Sequence, residues 1–348
     1  MNHTNTMGNK DLQTEDVDAE SPKRSIASLQ GRHHEICSRA IANVLSTTIA
    51  RTTYGQIVDG LPLADVAADS YYGVVGRRHP LLDQHLELST DVLNRVDQLY
   101  STFDPKMLKI DSVLFFAFQA ASPGSRAFQT RLIEIIARSV HQIAVWLFKQ
   151  GPMRPESDPL LSWRPGKDIE YLYPKGFPPT LFLHHWYRDY DQYPEGIADG
   201  VGYWAESRIL GGVVLFDRRT PESAQDVDPD AIYFHSDSSD VTYRIYRLLD
   251  SQKQQLMQFL LSEVTPPPTC PLPIHGSLEN RQRVDPEEPI LEKGIYRDKW
   301  ERRPPSEDDG DDRLRDVTDD FNYVSFNDYL QARYRGVEMR QRRESEGW

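Results

Sequence analysis

Ile209-Leu210-Gly211-Gly212-Val213-Val214-Leu215-Phe216 is an unbroken apolar run that stops abruptly at Asp217-Arg218-Arg219. Apolar residues without alternation predict a strand buried on both faces. The two glycines inside the run mark a bulge or the close approach of another backbone. Read from Tyr203 to Phe216, the segment is expected to be an interior strand of a small sheet. The stretches 181–187 and 231–235 are two further strand candidates, and the Pro-containing stretch 217–230 reads as an exposed loop.

The chain before this run is helical in pattern. Ile36, Ala40, Ile41, Val44, Leu45 and Ile49 recur on one face of a helix over 32–51, and Leu82, Leu86, Leu93, Val96 and Leu99 recur after Pro80. Residues 52–78 read as an irregular link with one short helix near 63–68. A third helix is expected over 106–121. The strongest is 126–149, where Phe128, Leu132, Ile136, Val140, Ile143 and Leu147 leave only a polar stripe of Arg131, Glu134, Arg138 and His141. After the strands, Ser238, Ser239 or Asp240 is expected to cap a helix running through Ile245, Leu248, Leu249, Leu256, Phe259 and Leu260, which Pro266-Pro267-Pro268 ends.

These patterns predict an α+β fold: a helical N-terminal half packed on a small, mostly antiparallel sheet, with a C-terminal extended strap. The expected divisions are a disordered polar tail at 1–27 and a helical region at 28–150. A loop, small sheet and capping helix follow at 151–264, then a Pro-rich acidic strap with a short terminal helix at 265–348. The compact body is expected to run from about Ser28 to Val264.

Composition narrows the function classes. A net charge of -13 over 348 residues disfavours nucleic acid as a partner, because phosphate binding rests on Lys and Arg. No apolar run approaches the roughly 20 residues of a membrane span, so no membrane is expected. Two unspaced cysteines, Cys37 and Cys270, give neither a disulfide framework nor a zinc site. With no secretory or mitochondrial leader, the expectation is an intracellular protein, cytoplasmic or nuclear. No phosphate loop, dinucleotide fingerprint or nucleophile elbow occurs, and no cofactor is expected.

What chemistry the sequence offers gathers between 184 and 240. His184, His185 and His235 are candidate acid–base groups. Adjacent side chains of a strand point to opposite faces, so the His184-His185 pair predicts no metal site. Asp199 and Glu206 stand beside Tyr203 and Trp204, a setting in which burial raises a carboxyl pKa. The ordinary role for Glu206 is a salt bridge to Arg208 or Arg218. Trp186, Tyr190, Tyr203 and Trp204, with Tyr187 and Tyr193, are candidate pocket aromatics for a small organic ligand, and core packing is the competing explanation.

Gly202-Tyr203-Trp204-Ala205-Glu206, the run from Ile209 to Arg218, and Thr242-Tyr243-Arg244-Ile245-Tyr246-Arg247-Leu248-Leu249 resemble a family of filamentous-fungal proteins with no assigned activity. The resemblance covers about 180–261. It implies a fungal intracellular protein linked to specialised metabolism and transfers no catalytic residue. Two readings follow: an accessory protein that contacts a protein partner through its Pro-rich, acidic strap, or a small-molecule enzyme or binder using the aromatic region, with Glu206 or Asp199 as acid or base and His184, His185 or His235 as partner.

Overall fold

The computed structural model describes residues 22–69, 78–173, 176–220, 227–238, 242, 244–284, 290–303 and 325–346. Most of the expected tail (1–21) and the acidic tract 306–320 lie outside them. In chain order the elements are β1 (Lys23–Ser25), α1 (Gly31–Leu45), α2 (Thr48–Asp59), α3 (Ala64–Asp69), α4 (Leu81–Gln84) and α5 (Thr90–Thr102). Next come β2 (Lys109–Asp111), α6 (Ser112–Ala120), α7 (Arg126–Lys149), α8 (Pro159–Ser162), α9 (Ile197–Leu210), β3 (Val213–Asp217) and β4 (Ile232–His235). The chain continues with β5 (Ile245–Arg247), α10 (Asp250–Leu260), β6 (Arg283–Val284), α11 (Ile290–Lys293), β7 (Ile295–Tyr296) and α12 (Phe326–Glu346).

The class is α+β. A five-stranded sheet in the order β6-β5-β4-β3-β7 is antiparallel throughout, and β1 and β2 form a separate antiparallel pair. Between β4 and β7, every residue of β3 is buried, as the quoted run predicts for Val213 to Phe216. Helix α7 spans the expected 126–149; Ser125 caps it by accepting the Phe128 N–H at 3.1 Å. Among the described residues, no helix is long and apolar enough to cross a membrane.

Several elements differ from expectation, each for a local reason. Tyr203 to Leu210 is helix, not strand, and α9 ends where Gly211 adopts φ +106°. Nearly every residue of α9 is buried, so the sequence shows no 3.6-residue period. The expected 32–51 helix breaks at Ser46-Thr47, where the Thr47 hydroxyl caps α2 by accepting the Ala50 N–H at 3.2 Å. Helix α2 thereby occupies part of the stretch read as an irregular link. The 181–187 stretch forms turns rather than a strand, and Ile245–Arg247 is a strand rather than the start of α10.

The interior also continues past Val264. Leu272, Ile274, Ile295, Arg297, Glu301 and Arg302 are all buried. The strap between 271 and 303 is thus built into the body: Ile274 N–H donates to Leu210 O at 2.8 Å and Arg218 N–H to Gly294 O at 2.7 Å.

Candidate functional site

Helix α9 presents different side chains to two environments. At 100° per residue, Asp199, Tyr203 and Glu206 share one face, while Trp204, Ser207 and Arg208 lie about a third of a turn away. The first face meets α7. A Cβ at Gly202 would lie 2.6 Å from the His141 ring, so glycine there lets the two helices approach closely. His141 Nε2 then reaches Asp199 Oδ1 at 2.9 Å, and its Nδ1 stands 3.7 Å from Glu206 Oε2.

Glu206 is fully buried and its partner is Arg297, whose Nη1 donates to both carboxylate oxygens at 2.7 and 2.8 Å. Oε1 also accepts the Val214 N–H at 2.7 Å, tying α9 to β3. Arg208 pairs instead with Asp69, and Arg218 with Glu134, so neither residue read from sequence proximity serves Glu206. Burial works to raise the carboxyl pKa of Glu206, but Arg297 and His141 outweigh it and hold the group ionised. Asp199 is held low in the same way, burial being outweighed by its bond to His141. Burial works to lower His141, yet Asp199 and Glu206 raise it above the usual imidazole value. This is a buried ion network in which His141 Nδ1 and Arg297 Nε make no hydrogen bond.

The aromatic candidates divide as well. Trp186, Tyr187, Tyr193 and Tyr203 are buried members of one apolar cluster with Val213, Leu215 and Tyr233, and Tyr190 packs against it. Tyr187 stacks on Tyr203 with ring centroids 4.4 Å apart, and the Arg297 guanidinium lies 5.5 Å from the Tyr203 centroid. These rings form core packing. Trp204 alone of the four pocket candidates lines the cavity described next.

The second face of α9 opens on a cavity of about 420 Å3. Trp204, Ser207 and Arg208 form one wall, Asp65, Val66 and Asp69 of α3 another. Leu183, His184 and the Ser236-Asp237-Ser238 segment that leaves β4 complete it, with Ile49, Pro273 and His275. Arg208 Nη1 donates to Asp69 Oδ2 at 2.6 Å, and the Ser238 hydroxyl to Asp69 Oδ1 at 3.1 Å.

Of the candidate histidines only His184 lines this cavity. Its Nε2 donates to the His235 carbonyl at 3.1 Å and its Nδ1 accepts the Trp186 N–H at 3.3 Å, so both nitrogens are engaged. Burial pushes its pKa down to about 3, which leaves it neutral. His185 contributes its backbone N–H, donated at 3.0 Å to Asp237 Oδ1. His235 lies behind the wall, with Tyr187 Oη 3.3 Å from its Nδ1.

Asp237, absent from the residues singled out in the sequence, is a buried carboxyl in the wall of the cavity. It is 8% exposed, and burial pushes its pKa up to about 8 against the opposing pull of the His185 N–H, Arg188 and Arg208. Among the described residues its only hydrogen bond is the one from His185, and it has no cationic side chain within ion-pair distance. The other buried carboxyls are all provided for. Asp59 has Arg154, Glu134 has Arg218, Asp199 has His141, Glu206 has Arg297 and Asp217 has Arg219. Glu301 accepts the N–H groups of Arg297 and Asp298. A carboxyl two residues beyond the strand Ile232–His235 is the one sequence signal that could have pointed to Asp237.

Among the described residues no three His, Cys, Asp or Glu side chains converge to hold a metal ion. Cys37 is buried with its thiol pushed up to about 12 by that burial, and Cys270 is exposed. Comparison with protein-family models, with curated proteins and with solved structures gives no match to this chain.

Proposed function

We propose that this chain is a small-molecule enzyme or binder whose site is the cavity around Asp237. The observation that carries the reading is a buried carboxyl without an ionic partner, lining a space of about 420 Å3. That volume lies within the range of small-ligand pockets. A carboxyl that titrates near neutral pH is suited to give or take a proton from a bound molecule. Ser207, Ser236 and Ser238 supply hydroxyls that orient such a molecule, and the Asp69–Arg208 pair supplies fixed charge. The acid–base role read in the sequence for Glu206 and Asp199 passes in this proposal to Asp237. A place in fungal specialised metabolism, which the resemblance over 180–261 implies, belongs to the same proposal.

The test is a ligand-observed NMR screen of small polar metabolites against the wild-type chain and Ser207→Phe, which fills part of the cavity. Compounds that bind the first and not the second support the site. If every hit binds both equally, the cavity is not where ligands go.

A second reading, an accessory protein that captures a protein partner through its C-terminal segment, is favoured by Phe326 and Tyr334, large apolar side chains exposed on α12. A chain ending at 324 should then lose partner capture while keeping its fold.

A further inference from the structure

The cavity also speaks to the chemistry of its occupant, and this step rests on its being a ligand site. Asp237 is more than nine-tenths buried and lines the open space, and the sole hydrogen bond its carboxyl accepts among the described residues is from the His185 N–H. The charged and titratable groups that face it come from every neighbouring element. Helix α3 contributes Asp65 and Asp69 and α9 contributes Arg208, which is bound to Asp69 at 2.6 Å. The 181–190 segment contributes His184, which is neutral, and Arg188. The segment after β4 contributes the Ser236 and Ser238 hydroxyls, and the strap contributes His275.

An anion entering this space would stand among three aspartates, Asp65, Asp69 and Asp237, and the Arg208 guanidinium that could receive it is already taken by Asp69. A cation meets the opposite situation. It supplies the partner that each of the other buried aspartates already has, and by displacing the Asp237 proton it leaves a net-neutral ion pair in place of the neutral acid. Trp204 in the same wall adds an aromatic ring, a favourable neighbour for an organic cation.

We propose that the cavity recognises a compact organic cation, a primary ammonium or amidinium, held by Asp237 with Asp69 and the serine hydroxyls around it. The one bond broken on recognition is the carboxyl O–H of Asp237, whose proton passes to solvent as the cation enters.

Calorimetry with butylammonium as the probe and butan-1-ol as its neutral counterpart tests this, in two buffers of different ionisation enthalpy. Butylammonium is expected to bind the wild-type chain with release of close to one proton at pH 6.5. Its affinity should climb about tenfold per pH unit until Asp237 is ionised in the free protein. Asp237→Asn should bind it at least about thirtyfold more weakly and without that pH dependence. Equal binding of butan-1-ol and butylammonium to the wild-type chain, or butylammonium binding without proton release, overturns the cation assignment. If the cation fails while neutral compounds still bind in a way that Ser207→Phe abolishes, the ligand class is wrong and the site stands. If nothing binds in a Ser207-sensitive way, both fall together.

Discussion

At the scale of single residues, the two carboxyls Glu206 and Asp237 show how burial gives opposite outcomes according to the partner supplied. Glu206 keeps its charge because Arg297 sits 2.7 Å away, and Asp237 keeps its proton because no cation does. Glu206→Gln leaves an acceptor for the Val214 N–H but strands the buried Arg297 guanidinium. It should lower stability by about 3–5 kcal/mol in urea denaturation at pH 7. An unchanged midpoint would mean that Glu206 is free for chemistry after all. Asp237 predicts a pH signature of opposite sense to an ordinary paired aspartate. Its folded pKa lies near 8, above the ordinary 3.8, so the folded state holds the proton longer than the unfolded chain does. Its contribution to stability is therefore complete below pH 4 and is lost as the pH rises to 8. Compared with Asp237→Asn, the wild-type chain should weaken across that window by at most about 1.4 kcal/mol per pH unit. Parallel stability curves would show that the carboxyl is ionised throughout.

At the scale of elements, the junction of α9 and β3 turns on Gly211. Its φ of +106° ends the helix, and a Cβ there would sit 2.1 Å from the Ile274 carbonyl oxygen. Gly211→Ala should therefore cost about 3 kcal/mol or more, combining left-handed strain with a forced shift of the strap backbone. A loss below about 1 kcal/mol in the same urea assay would show that the 274 segment yields freely. The glycine pair was readable as a site of close backbone approach, and Val213 to Phe216 as interior strand, because continuous apolar sequence leaves a β segment few alternatives. The same continuity hid the helix before it. Ala198, Val201, Tyr203, Trp204, Ala205, Ile209 and Leu210 are buried around the whole circumference of α9, so the 3.6-residue signal cancels. Helix α7 was readable because one stripe remained polar, although that stripe faces buried charge rather than solvent: Glu134 meets Arg218, and Arg138 meets Asp298. Asp237 could not be ranked from sequence, because its character comes from the absence of a partner. Arg297 could not be paired with Glu206 because 91 positions separate them.

At the scale of the whole molecule, charge fastens the C-terminal strap to a body otherwise held by apolar packing. Arg297 closes on Glu206, Asp298 receives two hydrogen bonds from Arg138 at 3.0 and 3.2 Å, and the Tyr193 hydroxyl donates to Glu301 O at 3.0 Å. Arg303 pairs with Asp191 on the far side of the same seam. Deleting 266–348 removes β6 and β7, Arg297 and Asp298 together, and leaves Glu206, Arg138 and the edge of β3 without partners. The folded body should not survive that truncation, in contrast to the separable strap expected from composition. A chain ending at 324 keeps every one of these contacts and should melt within about 2 °C of the full chain, since exposed surface contributes little to stability. A chain ending at 289 should lose cooperative melting, because breaking several buried pairs at about 3–5 kcal/mol each exceeds the net stability of a typical domain. Thermal denaturation of the two truncations separates the cases. If the chain ending at 289 melts like the full protein, the charges around Arg297 are ornamental and Glu206 must find solvent or another cation in its place.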